Sequence, residues 1–146
     1  MEIEKIIKKR SIGQNTTYAE DQFLAVYEFA EDVLKNGKFL KDSVYSKNAY
    51  IKLKELLVLT TQDADIEIPY ELTSLIKKVD AIAVKEYKIE IKQSVALGVF
   101  FILMGIVSYF FIYSLIFTIL VPIVGIYWIV YALELHKNIK KVSLKK

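Results

Sequence analysis

Few side chains in this 146-residue chain are of types that do chemistry, and the only histidine, His136, is the first of them. A histidine that acts as a general acid or base needs an orienting partner and a cleft around it. The nearest carboxylate is Glu134, two residues away, and Lys137 follows directly. A single histidine beside lysines is typical of a solvated residue at a membrane surface, so we assign His136 no catalytic or ligand role.

Three acidic residues, Asp63, Asp65 and Glu67, offer carboxylate oxygens of the kind that bind Ca²⁺ or Mg²⁺. Their spacing lacks the central glycine and terminal glutamate of an EF-hand loop, so we interpret the segment as a solvated acidic loop. The chain contains no cysteine, which excludes thiolate zinc sites and cysteine nucleophiles. With no Ser-His pair or phosphate-binding glycine loop either, the sequence predicts no metal, no cofactor, no small-molecule substrate and no enzymatic activity.

The longest feature of the sequence is a run without any charged residue, from Gln93 to Leu133. A membrane-spanning helix needs about 20 apolar residues to cross a hydrocarbon core about 30 Å thick. The run is about twice that length, so one straight helix would overshoot the bilayer. We therefore predict an all-α membrane protein with a two-span helical hairpin over 93–134, its spans at about 94–112 and 115–133.

Two clusters of aromatic residues support a hairpin whose turn lies near Tyr113 and Ser114. Tyrosine and tryptophan favour the headgroup level of a bilayer, where one end of the ring meets water. One cluster lies at the midpoint of the run and the other near its C-terminal end, so a hairpin places them at opposite membrane faces. The residues predicted to lie at the membrane interfaces are Tyr109, Tyr113, Tyr127, Trp128 and Tyr131. The alternative is that these side chains only fill lipid-facing surface.

Lysines flank the run on both sides and are absent between the two spans. Lys85, Lys88 and Lys92 precede the run, and a basic tail over 135–146 follows it. Because positively charged residues are retained on the cytoplasmic side, we predict a multi-pass protein of the cell membrane with both termini in the cytoplasm. The modest net charge of +3 fits contact with anionic headgroups more than nucleic-acid binding, so no nucleic-acid partner is expected.

Residues 1–92 are predicted to form a small cytoplasmic domain of about three helices. The first helix covers 17–36, with a capping box at Thr17 and Glu20 and a glycine stop at Gly37. The second runs from about Ser43 to Leu59, and the apolar residues that share its buried face are Tyr45, Ala49, Leu53, Leu56 and Leu57.

A loop over 60–69 then leads to a third helix, which is predicted to begin near Pro69. Its buried stripe consists of Leu72, Leu75, Ile76, Val79 and Ile82. The segment 84–92 is ambiguous, because apolar and charged residues alternate there with the period of a strand. A two-stranded ribbon alone is marginal in water, so we favour a continuous helix from about Pro69 into the first span.

Apolar residues that do not belong to the predicted buried faces of the helices are candidates for contact with a protein partner. We predict partner docking at Tyr87, Ile89 and Ile91, with Phe39 and Tyr50 contributing to the same surface. The alternative is that these residues complete the core of the small domain itself.

Small residues mark the helix-packing faces of the hairpin. Gly98 and Gly105 lie seven residues apart, which places them on one face of the first span, and Gly125 lies in the second span. Small side chains let helix backbones approach closely in lipid. The sequence predicts that these glycines pack one span on the other, with oligomerisation as the alternative use. Pro122, inside the second span, is expected to kink that helix.

Three functional classes remain open at this stage. The first is a non-catalytic accessory or scaffold subunit of a membrane protein complex, with the bilayer and a protein partner, or a further copy of itself, as binding partners. The second is a membrane-perturbing or pore-forming effector that oligomerises through the hairpin. The third, an enzyme acting on lipids, requires the most chemistry beyond the residues visible here.

Overall fold

The computed structural model of the chain describes residues 3–39, 43–111 and 115–143. Over these ranges the protein is all-helical, with no strand, in five helices. They are α1 (Ile3–Ser11), α2 (Tyr18–Asn36), α3 (Ser43–Ala64), α4 (Tyr70–Phe111) and α5 (Leu115–Ser143). The continuous helix predicted through 84–92 is therefore confirmed. The predicted turn at Tyr113 and Ser114 lies outside the described residues.

The chain divides into two compact units, and the boundary between them falls inside α4. The first unit comprises the described residues up to Ala83, and the second unit is Val84–Ser143. The core of the first unit joins α1, α2, α3 and the beginning of α4. Its buried side chains are Ile3, Ile6, Phe23, Leu24, Val26, Leu57 and Leu72.

Helix α1 is absent from the sequence-based expectation, which starts the first helix at residue 17. A nine-residue helix is too short to be stable alone, so it depends on packing that the local sequence does not reveal. Ile3 and Ile6 provide that packing by entering the core. The helix ends where Gly13 adopts a left-handed conformation and Gln14 donates its backbone N–H to the Lys9 carbonyl.

Helix α2 ends where the sequence predicted and begins one residue later, because Thr17 is its N-cap. The Thr17 backbone N–H donates to Glu20 Oε2 at 2.7 Å, and the Glu20 backbone N–H donates to Thr17 Oγ1 at 3.2 Å. This reciprocal pair is the predicted capping box. At the other end Gly37 has a φ of 65° and donates its N–H to the Leu34 carbonyl, which closes the helix.

Helix α3 is longer than predicted, and its buried face is different. It continues to Ala64, and Asp65 ends it in the left-handed region, which aspartate tolerates better than most residues. The predicted face is wrong at Tyr45, Ala49 and Leu56, which are exposed. The residues buried instead are Lys47, Tyr50, Ile51, Leu57 and Thr61. Two of these are polar, so the apolar period of the sequence did not reveal the true face.

Helix α4 starts at Tyr70, one residue later than predicted, and the Thr73 backbone N–H donates to the Pro69 carbonyl at 3.0 Å. The predicted stripe of this helix is confirmed. Leu72 and Val79 are fully buried, and the side chains half-buried with them are Leu75, Ile76 and Ile82. This first part of α4 packs on α3 through the polar cluster described below.

Candidate functional site

Two of the helices are long and apolar enough to cross a membrane, over Tyr70–Phe110 and Phe117–Val142. Their apolar side chains are mostly uncovered, because only 22% and 17% of the most apolar 18-residue window of each helix is buried. An apolar helix in the core of a soluble protein is covered on all sides. Such extensive uncovered apolar surface is typical of a helix that meets lipid or a partner.

The buried residues of α4 in the second unit follow a coiled-coil spacing. They occur at Tyr87, Ser94, Gly98, Gly105 and Ser108, with half-buried Ile91 and Phe101 filling the intervals. Successive positions therefore alternate between four and three residues apart. An average period of 3.5 residues keeps one face of a helix turned toward its neighbour over many turns.

Helix α5 shows the same spacing. Gly125, Ala132, Leu135 and Val142 are buried, and half-buried Val121, Trp128 and Ile139 complete the series. Gly98 lies against Gly125 and Ile129, whereas Gly105, further along α4, lies against Pro122. The contacts on α5 move backward as those on α4 move forward, so the two helices pack antiparallel.

Three glycines allow this close packing, and we call their contact region the glycine seam: Gly98, Ile102 and Gly105 of α4, with Pro122, Gly125 and Ile129 of α5. A Cβ atom on Gly98 would lie 2.8 Å from the Gly125 carbonyl oxygen. A Cβ on Gly125 would lie 2.7 Å from the Gly98 carbonyl oxygen, and one on Gly105 would overlap the Pro122 ring. Sequence analysis identified the glycines but did not pair Gly105 with Pro122.

The two serines of α4 within the uncharged run, Ser94 and Ser108, lie on the buried face. Ser94 and Ser108 are almost fully buried, and the Ser108 hydroxyl donates to the Met104 carbonyl of its own helix at 2.8 Å. The exposed face between Val95 and Phe110 is apolar except for Tyr109. The outer surface of this helix therefore matches hydrocarbon better than water.

The three residues predicted for docking have different environments. Tyr87 is 0% exposed, Ile91 is half-buried, and Ile89 is 47% exposed. On a helix Tyr87 and Ile91 share a face with Ser94, while Ile89 points elsewhere, which explains the difference. Burial, and then neighbouring charges led by Glu90, raise the pKa of Tyr87 to about 12, so its hydroxyl stays protonated. Of the three, Ile89 presents the largest apolar surface.

The wider docking surface predicted around Phe39 and Tyr50 is wrong, because both side chains are buried in the first unit. Their rings form an aromatic cluster with Phe29, in which the Phe29 and Tyr50 rings stack with centroids 5.8 Å apart. Phe39 lies two residues after Gly37, which ends α2, so helical periodicity does not assign it to a buried face.

A polar cluster on α3 and α4 was not recognised from the sequence. Tyr50 donates its hydroxyl to Asp80 Oδ1 at 2.8 Å, and Lys54 Nζ lies 2.7 Å from both Asp80 oxygens. Burial, and then the Asp80 charge, raise the pKa of Tyr50 well above its usual range, so the hydroxyl remains a donor. The spacing of Tyr50 and Lys54 by one helical turn was the only signal available. The cluster joins two helices and satisfies buried polar groups.

The predicted interface aromatics lie at two levels of the hairpin. Tyr109 and Tyr127 are exposed, whereas Trp128 and Tyr131 are half-buried. The Trp128 ring contacts both Tyr127 and Tyr131, with centroids 6.3 and 5.9 Å apart. Tyr113 is outside the described residues.

The remaining titratable residues considered in the sequence do not lie together in one site. His136 is exposed on α5, and Asp63 is exposed in the last turn of α3 rather than in a loop. Asp65 and Glu67 are exposed in the segment between α3 and α4. Within 3–39, 43–111 and 115–143, no three acidic, histidine or cysteine side chains are grouped closely enough to hold a metal ion.

No protein-family model matches the chain, no curated protein matches its sequence, and no solved structure matches its fold.

Proposed function

We propose that this protein is a non-catalytic accessory or scaffold subunit of a membrane protein complex. In this proposal the uncharged part of the α4–α5 hairpin is a two-span membrane anchor, and residues 1–92, which include Ile89, form a cytoplasmic docking domain. The observation that carries the proposal is the contrast within the hairpin. Its inner face is a tight glycine seam, and its outer face is uncovered apolar surface. Such a hairpin is suited to hold a domain at the membrane.

A pore-forming effector is the second candidate, and the uncovered apolar helices are the observation that permits it. A pore built from several hairpins needs a polar wall facing its water-filled interior. In the described part of α4, Ser94 and Ser108 are turned inward, and the outer face is apolar. A ring of such hairpins would therefore have an apolar lining, which favours the anchor over the pore.

For partner docking, Ile89 is the strongest of the predicted residues. It is an exposed branched apolar side chain among charged neighbours, Lys88 and Glu90, in the last turns before the uncharged run. Because Ile89 is 47% exposed, a partner that covers it would gain about half of the free energy of fully burying such a side chain, roughly 1 kcal/mol. Tyr87 does not contribute free surface, because it is already buried.

The experiment is affinity purification of the full-length protein from its native membranes in mild detergent, with stoichiometry determined by mass spectrometry. The proposal expects a complex of constant composition that Ile89→Ser disrupts. Ile7→Ser is the matched control, since Ile7 is a helical isoleucine of similar exposure in the first unit, 42% against 47% for Ile89. Far-UV circular dichroism checks that both variants remain helical.

Purification as the isolated chain in every mild detergent tried would contradict the subunit proposal. A dye-entry assay during induced expression separates the two candidates. Entry of a normally impermeant dye that tracks the amount of inserted protein would favour the pore-forming effector instead.

A further inference from the structure

We infer that the end of the hairpin nearest the chain's two flanking lysine groups binds the headgroups of anionic phospholipids. This inference rests on the membrane location contained in the proposed function. The residues that carry it form two triads in the second unit, Lys85, Lys88 and Lys92 on α4 and Lys137, Lys140 and Lys141 on α5. Together we call them the lysine band.

The helix geometry places each triad on one face. On α4, Lys88 lies three residues after Lys85 and four before Lys92. On α5, Lys140 and Lys141 lie three and four residues after Lys137, so each triad has a central lysine next to the other two on the helix surface. All six side chains are exposed, whereas Tyr87, Leu135 and Val142 on the other faces of the same turns are buried. The lysines are therefore turned outward.

The antiparallel packing brings the two triads to the same end of the hairpin. Lys92 directly precedes the uncharged run, and Lys137 follows Leu133 by four residues. At 1.5 Å per residue, both triads lie within about 12 Å of the end of the run. That distance corresponds to the headgroup layer and the water just outside it. Lysine side chains are long enough to reach phosphates from anywhere in this zone.

The acidic residues of the same region are fewer than the lysines of the lysine band. In the described part of the second unit the acidic residues are Glu86, Glu90 and Glu134. Glu86 and Glu90 are half-buried, and Glu134 is the exposed one. The six exposed lysines therefore outnumber the three glutamates of this region and give it a net positive charge. Each lysine near an anionic membrane surface adds favourable electrostatic free energy, and the effect falls off within a Debye length.

The fluorescence of Trp128 can report lipid binding, because it is the only tryptophan of the chain and lies in α5 nine residues before Lys137. The full-length protein is reconstituted into vesicles in which phosphatidylcholine is progressively replaced by brominated phosphatidylcholine or brominated phosphatidylglycerol. Bromine quenches tryptophan fluorescence on contact, so the two titrations report how strongly each lipid is recruited to the hairpin.

We expect brominated phosphatidylglycerol to be recruited about fivefold more strongly at low salt, and the ratio to approach one in 1 M NaCl. Changing Lys137, Lys140 and Lys141 together to Gln should lower the preference to about twofold, because the α4 triad remains, while changing the same three to Arg should retain it. The control is the triple change Lys35→Gln, Lys52→Gln, Lys77→Gln, which removes the same charge from exposed positions of the first unit. This control should leave the ratio unchanged.

The possible outcomes separate the inference from the proposed function. Equal quenching by both lipids at low salt would overturn the lysine band as an anionic-lipid site and leave the membrane anchor intact. Absence of quenching by either lipid would overturn both, because Trp128 would then not be in a bilayer. Loss of the preference in sodium phosphate, but not in sodium chloride of the same ionic strength, would assign the lysines to free phosphate and overturn the lipid assignment.

Discussion

Gly98 and Gly125 face each other across the hairpin so closely that neither position has room for a side chain. The Cβ position of each glycine lies within 2.8 Å of the other's carbonyl oxygen. Both obstructions are backbone atoms, so the helices can accommodate a methyl group only by moving apart. In a bilayer, where lipid tails are as apolar as the side chains, such close packing is a main source of helix association.

Gly125→Ala is therefore expected to destabilise the hairpin by about 1–2 kcal/mol. Alanine has the higher helix propensity by up to about 1 kcal/mol, which opposes this effect. We expect the cost of separating the helices to exceed the gain in helix propensity, because the added methyl group would meet backbone atoms of the facing helix. Thermal unfolding in mild detergent measures the result, with Ala96→Leu on the exposed face as the control. If Gly125→Ala is as stable as the native protein or more stable, the close approach of the two helices at the glycine seam does not stabilise the hairpin.

Gly105 and Pro122 form a second contact that a double-mutant cycle can test. Gly105→Ala should lower stability, because its Cβ would overlap the Pro122 ring, which is rigid. Pro122→Ala removes the ring, so the double variant should recover most of the loss. We expect a coupling energy on the order of 1 kcal/mol or more between the two sites. Simple additivity of the two changes would mean that the residues are not in contact.

The polar cluster of the first unit predicts different costs for two changes at Tyr50. Tyr50→Phe keeps the ring stacked on Phe29 and loses the hydrogen bond to Asp80, which should cost about 1–2 kcal/mol. Tyr50→Ala also opens a cavity and should cost about 3–5 kcal/mol. Hydrogen exchange of α3 amides measures both. Tyr45→Phe, on the exposed side of the same helix, should leave exchange unchanged.

The capping box of α2 predicts an acid-sensitive contribution to stability. Hydrogen bonds from Lys9 and from the Thr17 backbone hold the pKa of Glu20 below its ordinary value of 4.5. A carboxyl group whose pKa is lower in the folded state stabilises the fold above the unfolded value, and the stabilisation is lost as pH falls through the folded value. The difference in thermal midpoint between the native chain and Glu20→Gln should therefore be present at pH 7 and close below pH 4.5.

Glu55→Gln is the control for this measurement, since Glu55 is exposed on α3. Because Glu55 is not part of a capping box, Glu55→Gln should leave the thermal midpoint at pH 7 nearly unchanged. If the difference in thermal midpoint between the native chain and Glu20→Gln persists at low pH, the capping box does not depend on the charge of Glu20.

The predicted topology can be tested directly because the chain has no native cysteine. Single cysteines introduced at Asn15, Ser114 and Ser143 are labelled in intact cells with an impermeant thiol reagent. With both termini cytoplasmic, only Ser114→Cys should react before the cells are lysed. Labelling of Asn15→Cys or Ser143→Cys in unlysed cells would contradict the topology.

The sequence by itself determined the features that depend on neighbouring residues. The Thr17 and Glu20 capping box, the stop at Gly37 and the stripe on the first part of α4 all follow from short-range hydrogen bonding and helical periodicity. The sequence also predicted the two apolar helices, because the uncharged run is long enough for two membrane spans. The candidate packing residues Gly98, Gly105 and Gly125 were visible for the same local reason.

The tertiary structure decided which residues meet across helices. Lys47 is buried on α3 although its charge predicts exposure, and Leu56 is exposed although its apolar character predicts burial. Tyr87 belongs to the buried face of α4 because the helix continues into the uncharged run with a 3.5-residue period. The pairing of Gly105 with Pro122, and of Asp80 with Tyr50, depends on long-range packing. No spacing along a single helix encodes these contacts, because each one joins faces of helices that are separate in the sequence.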